Sequence, residues 1–125
     1  MSLKLVFRIA AVISAINGLG LLFMTSKFFE MANLTLYGSD SLITVGEFLG
    51  VTILFLALVT WRIPDVAGGA ITSLGQLWSY GYSMWVLIIG YHIITEAASG
   101  VTAYGNIVVI AILAVLFFMR SKKSE

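Results

Sequence analysis

Four stretches of roughly twenty predominantly apolar residues follow one another along this chain, each the length a helix needs to cross a bilayer. They run from about Leu5 to Met24, Leu42 to Trp61, Ile71 to His92 and Val101 to Met119. The first carries Arg8 near its start, the second carries Glu47, and the third lies inside a stretch from Val66 to Ile94 without a charged residue. The lone proline, Pro64, falls between the second and third stretches, where a helix stop is expected. Only 10% of the 125 residues are charged and 60% are hydrophobic. An average soluble domain is about 25% charged, so this inventory cannot cover a water-facing surface. The reading is an all-α integral membrane four-helix bundle forming one domain over residues 1–125, with an outer interfacial loop at 25–41.

The first stretch has a basic start and a small-residue triplet, Ile13-Ser14-Ala15, resembling a signal-peptide cleavage site. Apolar residues continue past it to Met24, which fits a retained helix. Four crossings put both termini on one side, together with the connection between the second and third spans. That side collects Lys4, Arg8, Arg62, Arg120, Lys122 and Lys123; the other keeps Lys27, beside Glu30, Asp40 and Glu96. The positive-inside rule then makes both termini cytoplasmic and the cell inner membrane the expected location. The outer loop, from Lys27-Phe28-Phe29-Glu30 through Leu34, Leu36 and Tyr37, mixes aromatic and polar groups as headgroup-level segments do. A lid over an outward cavity is the functional alternative.

Composition also limits the chemistry. Seven basic residues against six acidic ones leave no nucleic-acid footprint. The absence of cysteine excludes disulfides and thiolate sites. No phosphate loop, catalytic triad or metal motif is present, so an enzyme of familiar type, a cofactor and a bound metal are not expected. His92, the single histidine, reads as a headgroup-level side chain rather than an axial ligand.

Inside a bilayer, small and polar residues mark contact faces. On the third span Ser73, Gln76, Tyr80 and Ser83 share one stripe, expected to face the bundle interior. Trp78, Tyr82 and Trp85 share the opposite stripe, expected to face lipid or a partner chain. Gly46/Gly50 and Gly75/Ser79 have the spacing of close helix approach. Glu47 is the one acid inside a span, and an acid at such depth usually faces a cavity or a functional path. Asn17, Asn106 and Ser83 lie at comparable depth, so a Glu47-centred ligand or proton site with Asn17, Asn106, Ser83, Tyr80 and Gln76 is expected. Register-fixing by hydrogen bonds is the plain alternative.

The acid-and-glycine opening of the second span, Val45-Gly46-Glu47-Phe48-Leu49-Gly50, and the Arg62-Ile63-Pro64 turn stand in a four-span layout with an outer loop. In these features the chain resembles the small four-span bacterial membrane proteins of the DoxX-like group. That resemblance implies a four-helix membrane bundle and an accessory role beside a redox or transport partner; it transfers no catalytic residue, and the polar stripe of the third span departs from it. In length, span number and buried Glu the chain is also similar to small multidrug resistance transporters. Those carry the essential acid in the first span, whereas Glu47 lies in the second. The expected function is a non-enzymatic accessory or small-ligand-binding subunit. It would meet lipid, a small apolar ligand and a second copy or larger membrane complex. The alternative is a proton-coupled small-molecule transporter acting as a dimer.

Overall fold

The structure, a computed structural model, describes residues 1–31, 40–98 and 100–122. The chain folds into helices α1 (Leu3–Phe23), α2 (Thr25–Met31), α3 (Asp40–Val66), α4 (Ile71–Ile94) and α5 (Gly100–Ser121), with one 3₁₀ turn at Gly68–Ala70. There is no strand among the described residues. Helices α1, α3 and α5 are long and apolar enough to cross a membrane. Helix α4, 24 residues long, is less apolar because serines, Gln76, tyrosines and His92 interrupt it. The expected loop residues Leu34, Leu36 and Tyr37 lie outside the described residues.

Local chemistry sets the helix ends. Ser2 caps α1 by accepting the Leu5 N–H at 3.2 Å. The chain bends at Met24, and the Thr25 hydroxyl then donates to the Leu21 carbonyl as α2 begins. Helix α4 ends in a turn where the His92 carbonyl accepts the Ala97 and Ala98 N–H groups, with Glu96 in the left-handed region at φ 62°. Pro64 does not stop α3: it sits inside the last turn, and the helix continues to Val66. Only one intrahelical bond is lost there, and the Ala67 N–H still closes onto the Ile63 carbonyl.

Two antiparallel pairs make the bundle, α1 on α3 and α4 on α5. The first pair closes at glycines. A side-chain carbon on Gly50 would stand 2.7 Å from the Leu22 backbone nitrogen and 3.0 Å from the Gly18 carbonyl oxygen. Gly46 lies equally close to Thr25 and Phe29, which ties α2 to α3. The second pair closes where Gly75 meets Ser121 and where the Ser79 hydroxyl donates to the Ala114 carbonyl at 3.0 Å. Both small-residue spacings thus act in packing between helices of one chain.

The pairs join at the end that carries both termini. Val6, Phe7 and Ala10 of α1 pack there with Ile63, Tyr82, Leu113, Ala114 and Phe117. Phe7, fully buried, lies edge-on to Phe117 at 4.8 Å and to Trp78 at 5.7 Å. Since lipid is as apolar as these side chains, their gain is dispersion from close fit, not removal from water. Arg8 adds a polar clamp. Its guanidinium bonds the Asp65 carboxylate at 2.7 Å and the Trp61 carbonyl at 2.6 Å, and lies 4.3 Å over the Trp61 ring.

The faces of α4 reverse the sequence expectation. Gly75, Ser79 and Tyr82 are its buried face, while Ser73, Tyr80 and Ser83 are exposed and Gln76 is half-buried. Trp78 turns inward and donates its indole N–H to the Thr60 hydroxyl at 3.1 Å, and Trp85 borders the interior. The physical reason is visible at Ser83. Its hydroxyl donates to the Ser79 carbonyl of its own helix at 2.8 Å, so it needs no partner helix. The large aromatic rings instead fill the space between the two pairs, a matter of volume that polarity does not report.

Candidate functional site

Where the pairs diverge, toward the α2 end, they enclose a chamber of about 440 Å³. Ligand sites typically measure about 300–1,000 Å³ and combine apolar walls with a few converging polar groups. Here α1 contributes Ser14 and Asn17, one turn apart, and α5 contributes Thr102 and Asn106, also one turn apart. Helix α4 contributes Tyr82, Trp85 and His92. Leu49, Ile53 and Leu56 of α3 complete the wall, and Phe28 and Phe29 of α2 close the end. Helix α2 touches α1, α3 and α5, with Phe29 buried while Lys27 and Glu30 face outward.

The polar groups differ in what they leave free. The Asn17 amide nitrogen donates to the Ile13 carbonyl at 3.1 Å, which leaves its oxygen as an acceptor. The Tyr82 side chain is only 7% exposed, and its hydroxyl stands near Ser14 without a hydrogen bond of ordinary geometry. No Asp, Glu, Lys or Arg lines the chamber among the described residues. His92, at the far end, is half-buried against the Tyr91 ring.

Of the expected site residues, the structure brings Asn17 and Asn106 to one chamber. It leaves out Glu47, Ser83, Tyr80 and Gln76. Glu47 is exposed and makes no ion pair or side-chain hydrogen bond among the described residues. Helix α3 has 27 residues, about 40 Å against a hydrocarbon core of about 30 Å. Glu47 stands between Gly46 and Gly50 of the glycine seam in sequence, with its side chain facing outward. Of the expected aromatic stripe, Tyr82 is buried and Trp78 half-buried, while Trp85 lines the chamber and stays exposed on its outer side. Sequence reasoning missed Ser14, Thr102 and the lining role of Tyr82. The one-turn spacings Ser14/Asn17 and Thr102/Asn106 were the available signal.

Fold and site define the class: an all-helical chain, three of whose helices are long and apolar enough to cross a membrane, with a half-open, largely apolar chamber of ligand size between them. No protein-family model matches the chain, and no curated protein or solved structure matches it.

Proposed function

We propose that this protein binds a small apolar ligand inside its bundle and serves as a non-enzymatic ligand-binding or accessory subunit of the cell inner membrane. The observation that carries the reading is the neutral chamber, ligand-sized and apolar, on which Ser14, Asn17, Tyr82 and Asn106 converge. In this reading α4 is the fourth span; its 24 uncharged residues give about 36 Å of helix, enough to cross. Both termini then face the cytoplasm, supported by the six basic residues at that end against Lys27 at the other. The layout shared with DoxX-like proteins supports the accessory role beside a larger membrane complex. The proton-exchange transporter reading rests on Glu47, and the exposed position of that residue, outside the chamber, does not favour it.

The test is purification in mild detergent followed by native mass analysis. The expected result is an apolar molecule that stays bound to the wild-type protein and is lost from a variant with Asn106→Leu and Ser14→Leu. Recovery of an empty chain from membranes under every condition overturns the reading.

A further inference from the structure

The end of the bundle that carries the termini holds far more positive than negative charge. Among the described residues it has Lys4, Arg8, Arg62, Arg120 and Lys122 against one carboxylate, Asp65. Arg8 takes most of that carboxylate, with one nitrogen 2.7 Å from Oδ1 and another on the Trp61 carbonyl. Arg62 reaches Oδ2 only at 3.7 Å, too long for a hydrogen bond, and its side chain is 64% exposed. Lys4 lies one turn before Arg8 on the same face of α1, exposed and without an ion pair among the described residues. Lys4 and Arg62 therefore flank a carboxylate that Arg8 already neutralises. Arg120, at the end of α5, has no carboxylate either, and its buried Nε lacks a hydrogen bond.

Below these cations the surface is apolar. At helical spacing back along α3, Arg62 is followed by Leu58, Phe55 and Val51, all exposed. On α1 the stripe of Lys4 and Arg8 continues to exposed Val12. The Arg8 guanidinium lies 4.3 Å over the ring of Trp61, an exposed aromatic of the kind that sits at headgroup level. We propose that this α1–α3 corner is a binding site for one anionic phospholipid. The Lys4 ammonium and the Arg62 guanidinium donate to its phosphate, and an acyl chain lies along Leu58, Phe55 and Val51. Charge selects the head: basic pockets between spanning helices hold anionic headgroups, whereas a zwitterionic head brings its own cation toward Lys4 and Arg62. The apolar stripe selects a lipid over free phosphate, which shares the headgroup chemistry but has nothing to lay on α3. The site is separate from the chamber and does not depend on what fills it.

The test uses the full chain in a mild non-ionic detergent and native mass analysis of bound lipid. Phosphatidylglycerol and phosphatidylcholine with identical acyl chains are titrated in turn. The wild type is expected to retain phosphatidylglycerol preferentially. Lys4→Gln or Arg62→Gln should weaken that binding about fivefold, and the two together about thirtyfold. Arg62→Lys, which keeps the charge, should retain most of it. Lys122→Gln removes the same charge at the same end but outside the corner, and should change it little. Far-UV circular dichroism checks that the helices of each variant are intact. Equal retention of the two lipids overturns the proposal. An equal loss from Lys122→Gln means that the charge of the whole end attracts lipid without a defined site, and overturns it as well. If inorganic phosphate displaces phosphatidylglycerol at equal concentration, the corner takes free phosphate and the lipid assignment fails.

Discussion

Replacing Gly50 by alanine tests whether the α1–α3 seam is as tight as the structure has it. The added carbon would meet the Leu22 nitrogen at 2.7 Å, the Gly18 oxygen at 3.0 Å and the Leu22 Cα at 3.1 Å. All three are backbone atoms, so no rotamer change relieves the contact. Ordinary contact begins at 3.4 Å, so the helices must part by about 0.7 Å or tilt. Overpacking of this kind costs about 1–3 kcal/mol. Alanine's better helix propensity returns up to about 1 kcal/mol. Gly105→Ala on α5 isolates that second effect, since nothing lies within 4 Å of its added carbon. The expected difference between the two variants is therefore about 1–3 kcal/mol, or roughly fivefold to a hundredfold and more in the unfolding constant. Reversible unfolding in mixed micelles, titrated with sodium dodecyl sulfate and followed by circular dichroism, measures it. Equal stability of Gly50→Ala and Gly105→Ala would refute the close seam.

Three further outcomes follow from the same structure. Arg8→Ala should destabilise the fold by about 1–3 kcal/mol, because it removes charge-assisted bonds to both Asp65 and the Trp61 carbonyl. Asp65→Asn, at a half-exposed carboxylate, should cost under about 1 kcal/mol; the same unfolding titration compares them, and equal losses would contradict the carbonyl contact. Glu96→Gly should raise stability by about 1 kcal/mol, since glycine takes the positive φ after α4 without strain, and an unchanged or lowered midpoint would count against that turn. Asn17→Ala should weaken retention of the co-purifying ligand by about fivefold to tenfold while Glu47→Gln leaves it unaltered, measured by quantitative mass analysis. A loss confined to Glu47→Gln would return the acid to the site.

Helix content was legible because uninterrupted apolar runs have few alternatives in lipid. The run read as 101–119 is the helix Gly100–Ser121, and the one read as 71–92 is Ile71–Ile94. Which face of each helix turns inward was far less legible. In water, apolar residues vote for the interior; in a bilayer that vote is missing, and polarity is a poor substitute when a hydroxyl can bond its own helix, as Ser83 does. Asn17 and Asn106 could be paired from the sequence because each is the one amide side chain in its apolar run, a few residues from the same end of the bundle. Glu47 stood out as the one acid in an apolar run, but an apolar run does not say which face of α3 turns inward, and the structure leaves this residue exposed outside the chamber. Volume, too, is silent in the sequence: Tyr82 and the two tryptophans had to be seen filling the gap between the pairs.

The pairing of α1 with α3, and of α4 with α5, also bears on how the chain is put together during synthesis. The first helix has no mate until translation has passed Gly50, whereas α4 gains its own as soon as α5 follows it. Each half is then a self-contained hairpin. A break at the Gly68–Ala70 turn should leave two fragments able to insert separately and find one another again.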